Sequence, residues 1–157
     1  MKITLVVTGK TDSEWLKKGI DVYWNRLRHY ASIEMKVLPD LKNTRNMPED
    51  LQREKEGQQI IACLDGKNDT YLLDEGGQHF SSREFSRFIE RKMIAGSREL
   101  TFVIGGPFGF SEQVTRMATG KISLSRLTFS HQMVRLLFAE QLYRAFTIIR
   151  GESYHND

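Results

Sequence analysis

The side chains best suited to chemistry lie in the carboxyl-terminal third of the chain. They are His131, Arg144 and the closing Tyr154-His155 pair. A tyrosine ring and an imidazole can stack on a nucleic-acid base, an imidazole can move a proton, and an arginine can contact phosphate. Each also has a plainer interpretation, because short tails commonly fray and Glu140 lies four residues before Arg144, the spacing of an ordinary surface pair. Residue type and spacing leave both interpretations open.

A glycine-rich loop is the clearest candidate for a ligand site. The strand-like run at residues 100–104 continues into Gly105-Gly106-Pro107-Phe108-Gly109-Phe110, and a helix-like stretch opens at Ser111. Adjacent glycines can take backbone angles closed to other residues and let a flat ligand approach the main chain. Loops at the carboxyl end of a strand are the usual ligand position in open α/β sheets. The alternative is a tight turn that needs glycine and proline only for its shape.

Several common classes of site do not fit this sequence. The loop reads G-G-x-x-G, lies late in the chain and is not the dinucleotide-binding fingerprint, so a nicotinamide enzyme is not expected. A G-x-S-x-G elbow is also absent. No metal site is expected, because the four histidines show no paired metal-binding spacing. These are His29, His79, His131 and His155.

Length and composition narrow the class of protein. A chain of 157 residues fits one domain spanning residues 1–157, and a net charge of +3 permits an anionic partner without requiring one. The single cysteine, Cys63, follows an apolar run and is expected to be a buried, inert thiol in a reduced, cytoplasmic setting. The apolar run at the amino terminus is far shorter than the roughly 20 residues of a membrane span, so no membrane association is expected.

The elements that would position these residues alternate between strands and helices. Strands are predicted at residues 3–8, 33–37, 71–73, 100–104 and 122–127. Helices are predicted from residue 13 to 27, from 49 to about 63, from the Ser81–Glu84 capping box to Gly96, briefly after Ser111, and at 131–149. Residues 39–46, with Lys42 and Arg45, are expected to form a mobile basic loop, and residues 74–78 a turn-rich loop. Strands separated by helices predict an α/β fold, with a mostly parallel sheet and helices on both faces.

The last predicted helix has almost no polar face. Apolar side chains occupy most positions of residues 131–149. A helix that is apolar nearly all round must be buried on several sides, and one sheet face in a chain of this size would leave part of it exposed. We therefore predict a homodimer through this helix.

Taken in order along the chain, several short motifs resemble one family. They are Leu73-Asp74, Ile104-Gly105-Gly106-Pro107, Leu124 to Phe129, His131 with Arg135, Leu142-Tyr143-Arg144-Ala145 and the terminal Tyr154-His155. Together they resemble the RlmH-type ribosomal RNA large-subunit methyltransferases of the SPOUT superfamily. The likeness covers essentially the whole chain, and the ordered set is specific where each motif alone is weak.

The resemblance implies an α/β fold with a carboxyl-terminal trefoil knot, a homodimer, and S-adenosylmethionine as methyl donor. Hydrophobic periodicity could not have indicated the knot, since chains are nearly always unknotted. The implied reaction is methylation of N3 of a pseudouridine in 23S ribosomal RNA on assembled 70S ribosomes. The cofactor-binding residues that it implies are Leu73, Gly105, Gly106, Leu124, Ser125, Arg126, Leu127, Thr128 and Phe129.

The resemblance also gives roles to the chemically active residues. His131, Arg144, Tyr154 and His155 would align N3 with the methyl carbon and let N3 lose its proton, with Arg144 supplying positive charge and a histidine accepting the proton. Because the tail follows the predicted interface helix, we further expect Tyr154 and His155 of one subunit to complete the other subunit's pocket. Phosphate contacts are expected from Lys42, Arg45 and the basic residues of the first helix, which are Lys17, Lys18, Arg26 and Arg28.

Three positions depart from the family pattern. Phe108 replaces a Glu after Gly-Gly-Pro, Gln132 replaces a Pro after His131, and Ser153 replaces a Pro before Tyr154. None removes a group that the chemistry obviously needs. Two alternatives remain: a noncatalytic RNA- or ribosome-binding protein of the same fold, and a related enzyme that methylates a tRNA ribose or guanine.

Overall fold

A five-stranded parallel sheet organises the chain. The computed structural model describes residues 1–64, 66 and 69–156. The strands are β1 (Lys2–Thr8), β2 (Ser32–Leu38), β3 (Asp69–His79), β4 (Glu99–Ile104) and β5 (Gly120–Ser123). They lie in the order β2-β1-β4-β3-β5, and each neighbouring pair is parallel. The carboxyl ends of the strands therefore meet at one edge of the sheet.

Helices cover both faces of the sheet. They are α1 (Glu14–Leu27), α2 (Glu49–Cys63), α3 (Ser82–Ile94), α4 (Glu112–Met117) and α5 (Met133–Arg150). Alternate strand residues point to opposite faces, so Leu5 and Phe102 join the core under α1, α3 and α5, whereas Val6 and Val103 join a smaller cluster with residues of α2 and α4. This confirms the predicted α/β class and the parallel sheet. The trefoil knot stays a prediction from the family resemblance.

Local sequence signals set several helix ends. The Ser81 hydroxyl accepts a hydrogen bond from the Glu84 amide at 3.3 Å, and the Ser81 amide donates to the Glu84 carboxylate at 2.7 Å, so the predicted capping box is present. Gly96 follows α3 with a φ of 76°, the left-handed conformation in which glycine commonly ends a helix. Helix α5 starts at Met133, two residues later than predicted, because the Ser130 hydroxyl accepts the Met133 amide at 3.2 Å.

The predicted fifth strand is wrong at its carboxyl end. It was expected at residues 122–127, but β5 ends at Ser123. The Ser123 hydroxyl donates to the Ser125 carbonyl at 2.8 Å, and the Ser125 hydroxyl accepts the Leu127 amide at 2.9 Å. Such local bonds compete with strand pairing, so residues 124–127 leave the sheet as a loop.

The predicted loop at residues 74–78 lies within strand β3. The segment still contains a local turn, because the Asp74 carboxylate accepts a hydrogen bond from the Gly76 amide at 2.8 Å. Pairing with β5 breaks off after Leu73 and resumes at Gln78 with a shifted register. At Gly77 an added Cβ would lie 2.6 Å from main-chain atoms of Lys121 and Ile122, so glycine allows the two strands to approach closely.

Helix α5 is covered on several sides by its own chain. It lies against α1 and α3 as well as the sheet, and its large apolar side chains are all buried or half-buried. Several of them, such as Leu136, Leu137 and Ile148, are only half-buried, so one chain leaves part of α5 accessible, as the sequence predicted. The largest exposed aromatic side chain nearby is Trp15 of α1, at 61%. Cys63 is half-buried rather than buried, because it ends α2 at the margin of the smaller apolar cluster.

None of the described helices has both the length and the apolar character needed to cross a membrane.

Candidate functional site

A cavity of about 560 Å³ opens at the carboxyl ends of β4 and β5, beside the segment of β3 where its pairing with β5 is interrupted. Its volume falls within the range of small-molecule sites. Its lining comes from β3, the end of β4 and the loops after β4 and β5. It is partly apolar through Leu73, Ile104 and Leu124 and carries two carboxylates, Asp74 and Glu75. The arrangement suits a ligand with a flat apolar part and polar or cationic groups.

Eight of the nine predicted cofactor-binding residues line this cavity. They are Leu73, Gly105, Gly106, Leu124, Ser125, Leu127, Thr128 and Phe129. The ninth, Arg126, is exposed and lies outside this lining. His131, predicted to be catalytic, is also a lining residue. The sequence interpretation missed Asp74 and Glu75, although they directly follow Leu73 in the chain.

The glycine pair has a different physical basis from the one predicted. Among the glycines of the loop, only Gly109 has a positive φ, at 75°, so Gly105 and Gly106 do not need angles closed to other residues. A Cβ on Gly106 would instead overlap the Glu56 carboxylate, lying 2.8 Å from its Cδ. A Cβ on Gly105 would lie 3.1 Å from the Phe110 ring. Both glycines make room for packing within the protein.

Helix α2 supports this loop from behind. The Arg53 Nε donates to the Phe108 carbonyl at 2.9 Å, and Glu56 packs against Gly106. One turn further along the loop, the Ser111 hydroxyl accepts the Val114 amide at 3.3 Å and caps α4. The loop is thus held at both ends of its glycine segment.

A hydrogen bond also joins two loops at the mouth of the cavity. The Thr128 hydroxyl donates to the Glu75 carboxylate at 2.6 Å. Asp74 lies 3.6 Å from the Lys121 ammonium. Beside them, Leu127 is 71% exposed, so an apolar side chain stands at the rim.

A fully buried arginine fixes the start of α5 and therefore His131. The Arg135 guanidinium donates to the carbonyls of Thr8 at 2.7 Å and Gly9 at 2.9 Å, and its Nε lies 3.4 Å from the His131 carbonyl. Burial lowers the pKa of Arg135, while the nearby carboxylates of Asp12 and Asp40 act in the opposite direction. The end of β1 and the start of α5 are thereby tied together.

Gln132 explains one departure from the family pattern. Its side chain donates to the Lys10 carbonyl at 3.1 Å and accepts the Asp12 amide at 3.2 Å. A proline at this position could form neither bond. Gln132 therefore strengthens the attachment of α5 to the loop after β1.

The other three predicted catalytic residues form a separate tail cluster around Glu140. Arg144 Nη2 donates to Glu140 Oε1 at 2.5 Å, and the Tyr154 hydroxyl donates to the same oxygen at 2.9 Å. Arg144 Nη1 lies 3.1 Å from His155 Nδ1, which must be the acceptor because a guanidinium only donates. The Glu140–Arg144 pair that sequence spacing indicated is therefore present, but as part of a four-residue network.

Electrostatics assigns protonation states to two members of the tail cluster. Burial, together with hydrogen bonds to Tyr23 and Glu140, raises the pKa of Tyr154. The hydrogen bond to Glu140 raises the pKa of Arg144. At neutral pH, Arg144 is therefore a cation and Tyr154 a neutral phenol that donates a hydrogen bond.

Residues 152–155 pack against the body of the protein rather than fray. The Tyr154 ring lies 4.8 Å from the Tyr143 ring, and the Arg144 guanidinium lies 4.8 Å from the centre of the Tyr154 ring. The Tyr30 hydroxyl donates to the Glu152 carboxylate at 2.6 Å. These contacts remove the plainer interpretation of the tail.

The cavity lies at the start of α5, whereas the tail cluster lies around Glu140 and Arg144 in the middle of the helix. At about 1.5 Å per residue, Arg144 is roughly 17 Å along the helix from Met133, which follows His131 and the cavity. One chain therefore does not bring His131 together with Arg144, Tyr154 and His155. Within the described residues, no group of His, Cys, Asp or Glu side chains could hold a metal ion.

Comparison with known proteins gives a consistent family assignment. A family model described as "Predicted SPOUT methyltransferase" matches residues 1–155. The chain is 52% identical over 156 residues to the ribosomal RNA large subunit methyltransferase H of Christiangramia forsetii, covering 99% of both chains. It is 51% identical to the protein of that name from Parabacteroides distasonis and 49% identical to that from Porphyromonas gingivalis, in each case over 100% of both chains. The chain therefore belongs to the SPOUT methyltransferase family.

Proposed function

We propose that this protein transfers a methyl group from S-adenosylmethionine to N3 of a pseudouridine in 23S ribosomal RNA on assembled ribosomes. The observation that carries the proposal is the cavity at the carboxyl ends of β4 and β5, in a chain of a methyltransferase family. The name shared by the relatives, ribosomal RNA large subunit methyltransferase H, supports the substrate class. A ribosomal substrate also implies action in the cytoplasm.

The residues of the cavity fit the proposed methyl donor. Leu73 and Leu124 offer apolar surface for an adenine ring, and the carboxylates of Asp74 and Glu75 can accept hydrogen bonds from hydroxyl or ammonium groups. When bound, S-adenosylmethionine would supply an electrophilic methyl group on a positively charged sulfur. The protein's task is then to align the nucleotide and to remove the N3 proton.

The tail cluster has the groups that this proton transfer needs. N3 carries an imide proton, and a fixed cation nearby lowers the free energy of the anion left behind. Arg144 supplies that cation, and a histidine accepts the proton; for His155 this requires its Nδ1, the ring's basic nitrogen, to leave the Arg144 guanidinium. Tyr154 offers a ring for stacking and holds Glu140, and Glu140 orients Arg144. His131, which is at the cavity, lies beside the donor.

A homodimer brings the two sets of residues together. Because α5 separates them by roughly 17 Å, an active site needs the cavity of one chain and the tail cluster of another. Half-buried apolar side chains of α5 and the exposed Trp15 of α1 provide surface for such an interface. A twofold arrangement then builds two equivalent sites.

Basic residues outside the cavity are available for the RNA backbone. Lys42 and Arg45 are exposed in the segment between β2 and α2, and Arg28 is exposed just after α1. Arg26 lies over the Tyr143 ring, 5.4 Å from its centre, close to the tail cluster. With a net charge of only +3, recognition would rest on ribosome shape as well as phosphate contacts.

The direct test is transfer of a labelled methyl group from S-adenosylmethionine to 70S ribosomes from a strain lacking the enzyme. Nuclease mapping and mass spectrometry would identify the modified nucleotide. We expect label as N3-methylpseudouridine in 23S ribosomal RNA. Cofactor binding without label on the ribosome would point to another RNA, and absence of both would point to a noncatalytic RNA-binding protein.

Deletion of residues 151–157 tests the tail. Transfer should be abolished while the dissociation constant for S-adenosylmethionine changes by no more than about twofold, because the tail lies away from the cavity. Unchanged turnover would contradict the proposed role of the tail.

A further inference from the structure

Glu56 is a buried carboxyl group with an unsatisfied oxygen. It lies on α2 and is 4% exposed. Its Oε1 accepts a hydrogen bond from Gln52 Nε2 at 3.0 Å, whereas its Oε2 has no hydrogen-bond partner in the described structure. Burial of a polar group without a partner is costly, so such a group calls for an explanation.

The free oxygen is directed at the cavity loop. A Cβ placed on Gly106 would overlap the Glu56 carboxylate, so the carboxylate fills the space that a side chain at this position would need. Gly106 also lines the cavity. The main chain of one glycine therefore contacts Glu56 on one side and borders the ligand space on the other.

Glu56 also lacks a counter-charge. No ion pair joins it to a lysine or arginine within the described parts of the chain. Arg53, one turn earlier on α2, is engaged with Asp50 at 3.1 Å and with the Phe108 carbonyl at 2.9 Å. Buried charges in proteins are normally paired, so a positive charge in the cavity, on the other side of the Gly106 main chain, would lower the electrostatic free energy of this carboxylate.

We propose that Glu56 is a specificity-determining residue whose carboxylate favours the positively charged methyl donor over its uncharged product. The inference rests on the proposed function. S-adenosylmethionine carries a sulfonium charge, which S-adenosylhomocysteine lacks, while the amino-acid end is common to both. A carboxylate separated from a ligand charge only by the main chain of one glycine contributes roughly tenfold or more to affinity. Preference for the cation would also help the product to leave after transfer.

The test compares three ligands on the wild-type protein and on Glu56→Gln by isothermal titration calorimetry. The ligands are S-adenosylmethionine, S-adenosylhomocysteine and sinefungin, which carries an ammonium in place of the methylated sulfur. We expect Glu56→Gln to weaken binding of the two cationic ligands roughly tenfold and that of S-adenosylhomocysteine by no more than about twofold. A thermal melt checks that the variant is folded.

Two further variants control the comparison. Glu54→Gln makes the same charge change on the exposed face of α2 and should leave all three affinities unchanged. Glu56→Met removes the charge with an apolar side chain of similar size and should reproduce the altered ratio if Glu56→Gln proves unstable.

The outcomes separate this inference from the proposed function. If Glu56→Gln weakens binding of all three ligands equally, Glu56 has a purely structural role and the specificity role is overturned. Unchanged binding of all three ligands would also overturn it. A wild-type protein that binds none of the three ligands would overturn the proposed function as well.

Discussion

The cavity and the tail cluster are built in different ways. The cavity is formed by β3, the end of β4 and the loops after β4 and β5, with much of its lining from main chain, glycine and apolar side chains, and α2 fixes its glycine segment from behind. The tail cluster consists of charged and aromatic side chains from α5 and the last residues, bonded to one another around Glu140. The first arrangement suits binding, and the second suits the handling of charge and protons. Substitutions in the cavity should therefore change mainly cofactor affinity, and substitutions in the tail cluster should change mainly turnover.

Replacement of Arg144 by alanine should have the largest effect on turnover. The variant removes the cation that stabilises the developing N3 anion, and loss of one such group lowers kcat by roughly 10²–10³-fold. The dissociation constant for S-adenosylmethionine should stay within about twofold. Single-turnover transfer to ribosomes and calorimetry would measure the two quantities.

Arg116 provides a matched control for that variant. It forms an ion pair with Glu112 at the same four-residue spacing, but the pair is exposed on α4. Arg116→Ala should leave kcat nearly unchanged. An equal loss in both variants would show that Arg144 has no special role.

Replacement of Gly106 by alanine should act on the cavity instead. The new methyl group would overlap the Glu56 carboxylate, so the loop or α2 must shift. We expect roughly tenfold weaker cofactor binding and a loss of about 1–3 kcal/mol in the free energy of unfolding. Gly66→Ala is the control, because a Cβ there has open space around it. Unchanged binding and stability in Gly106→Ala would contradict the packing described for the loop.

Replacement of Tyr154 by phenylalanine should have a smaller effect. The hydrogen bond to Glu140 is lost, but the ring can keep its place between Tyr143 and Arg144. A loss of about 1 kcal/mol predicts a decrease in kcat of up to about tenfold. Complete loss of transfer would indicate that the phenol acts as the base, contrary to its raised pKa. Tyr71→Phe, on β3 and outside the tail cluster, serves as the control.

The smallest effect is expected in the pH dependence of stability. Burial and the hydrogen bond to Glu152 raise the pKa of Tyr30 to about 12 from an ordinary value of 10.0. The folded state therefore keeps this proton where the unfolded state loses it, and the contribution of Tyr30 to stability is complete below pH 10 and falls between pH 10 and 12. Tyr30→Phe should show a shallower decline in Tm over that range, by about 2 °C or more. Parallel curves for the two proteins would contradict the hydrogen bond between Tyr30 and Glu152.

Much of the scaffold could be predicted from the sequence because it depends on local patterns. Apolar alternation located the strands, and Ser81 with Glu84 marked a helix start. The end of β5 could not be predicted in this way, since an apolar alternating run was overridden by hydrogen bonds of Ser123 and Ser125.

The site was harder to predict from the sequence, because its contacts join residues that are distant in the chain. Glu56 and Gly106 lie far apart in sequence and meet only when α2 packs behind the loop after β4. Glu140 had a visible partner in Arg144, but its link to Tyr154 depends on how the tail folds back. The distance between His131 and Arg144 likewise became clear only once the helix that separates them was seen in the structure.

The central claim is that each active site combines the cavity of one chain with the tail cluster of another. It is tested most directly by mixing two inactive proteins, Leu124→Trp, which enlarges a side chain lining the cavity, and the chain lacking residues 151–157, after denaturing and refolding them together. Random pairing gives heterodimers in half of the dimers, each with one complete site, so transfer should recover to about a quarter of the wild-type rate. Refolded heterodimers that remain inactive, while wild-type protein recovers under the same treatment, would contradict the shared site.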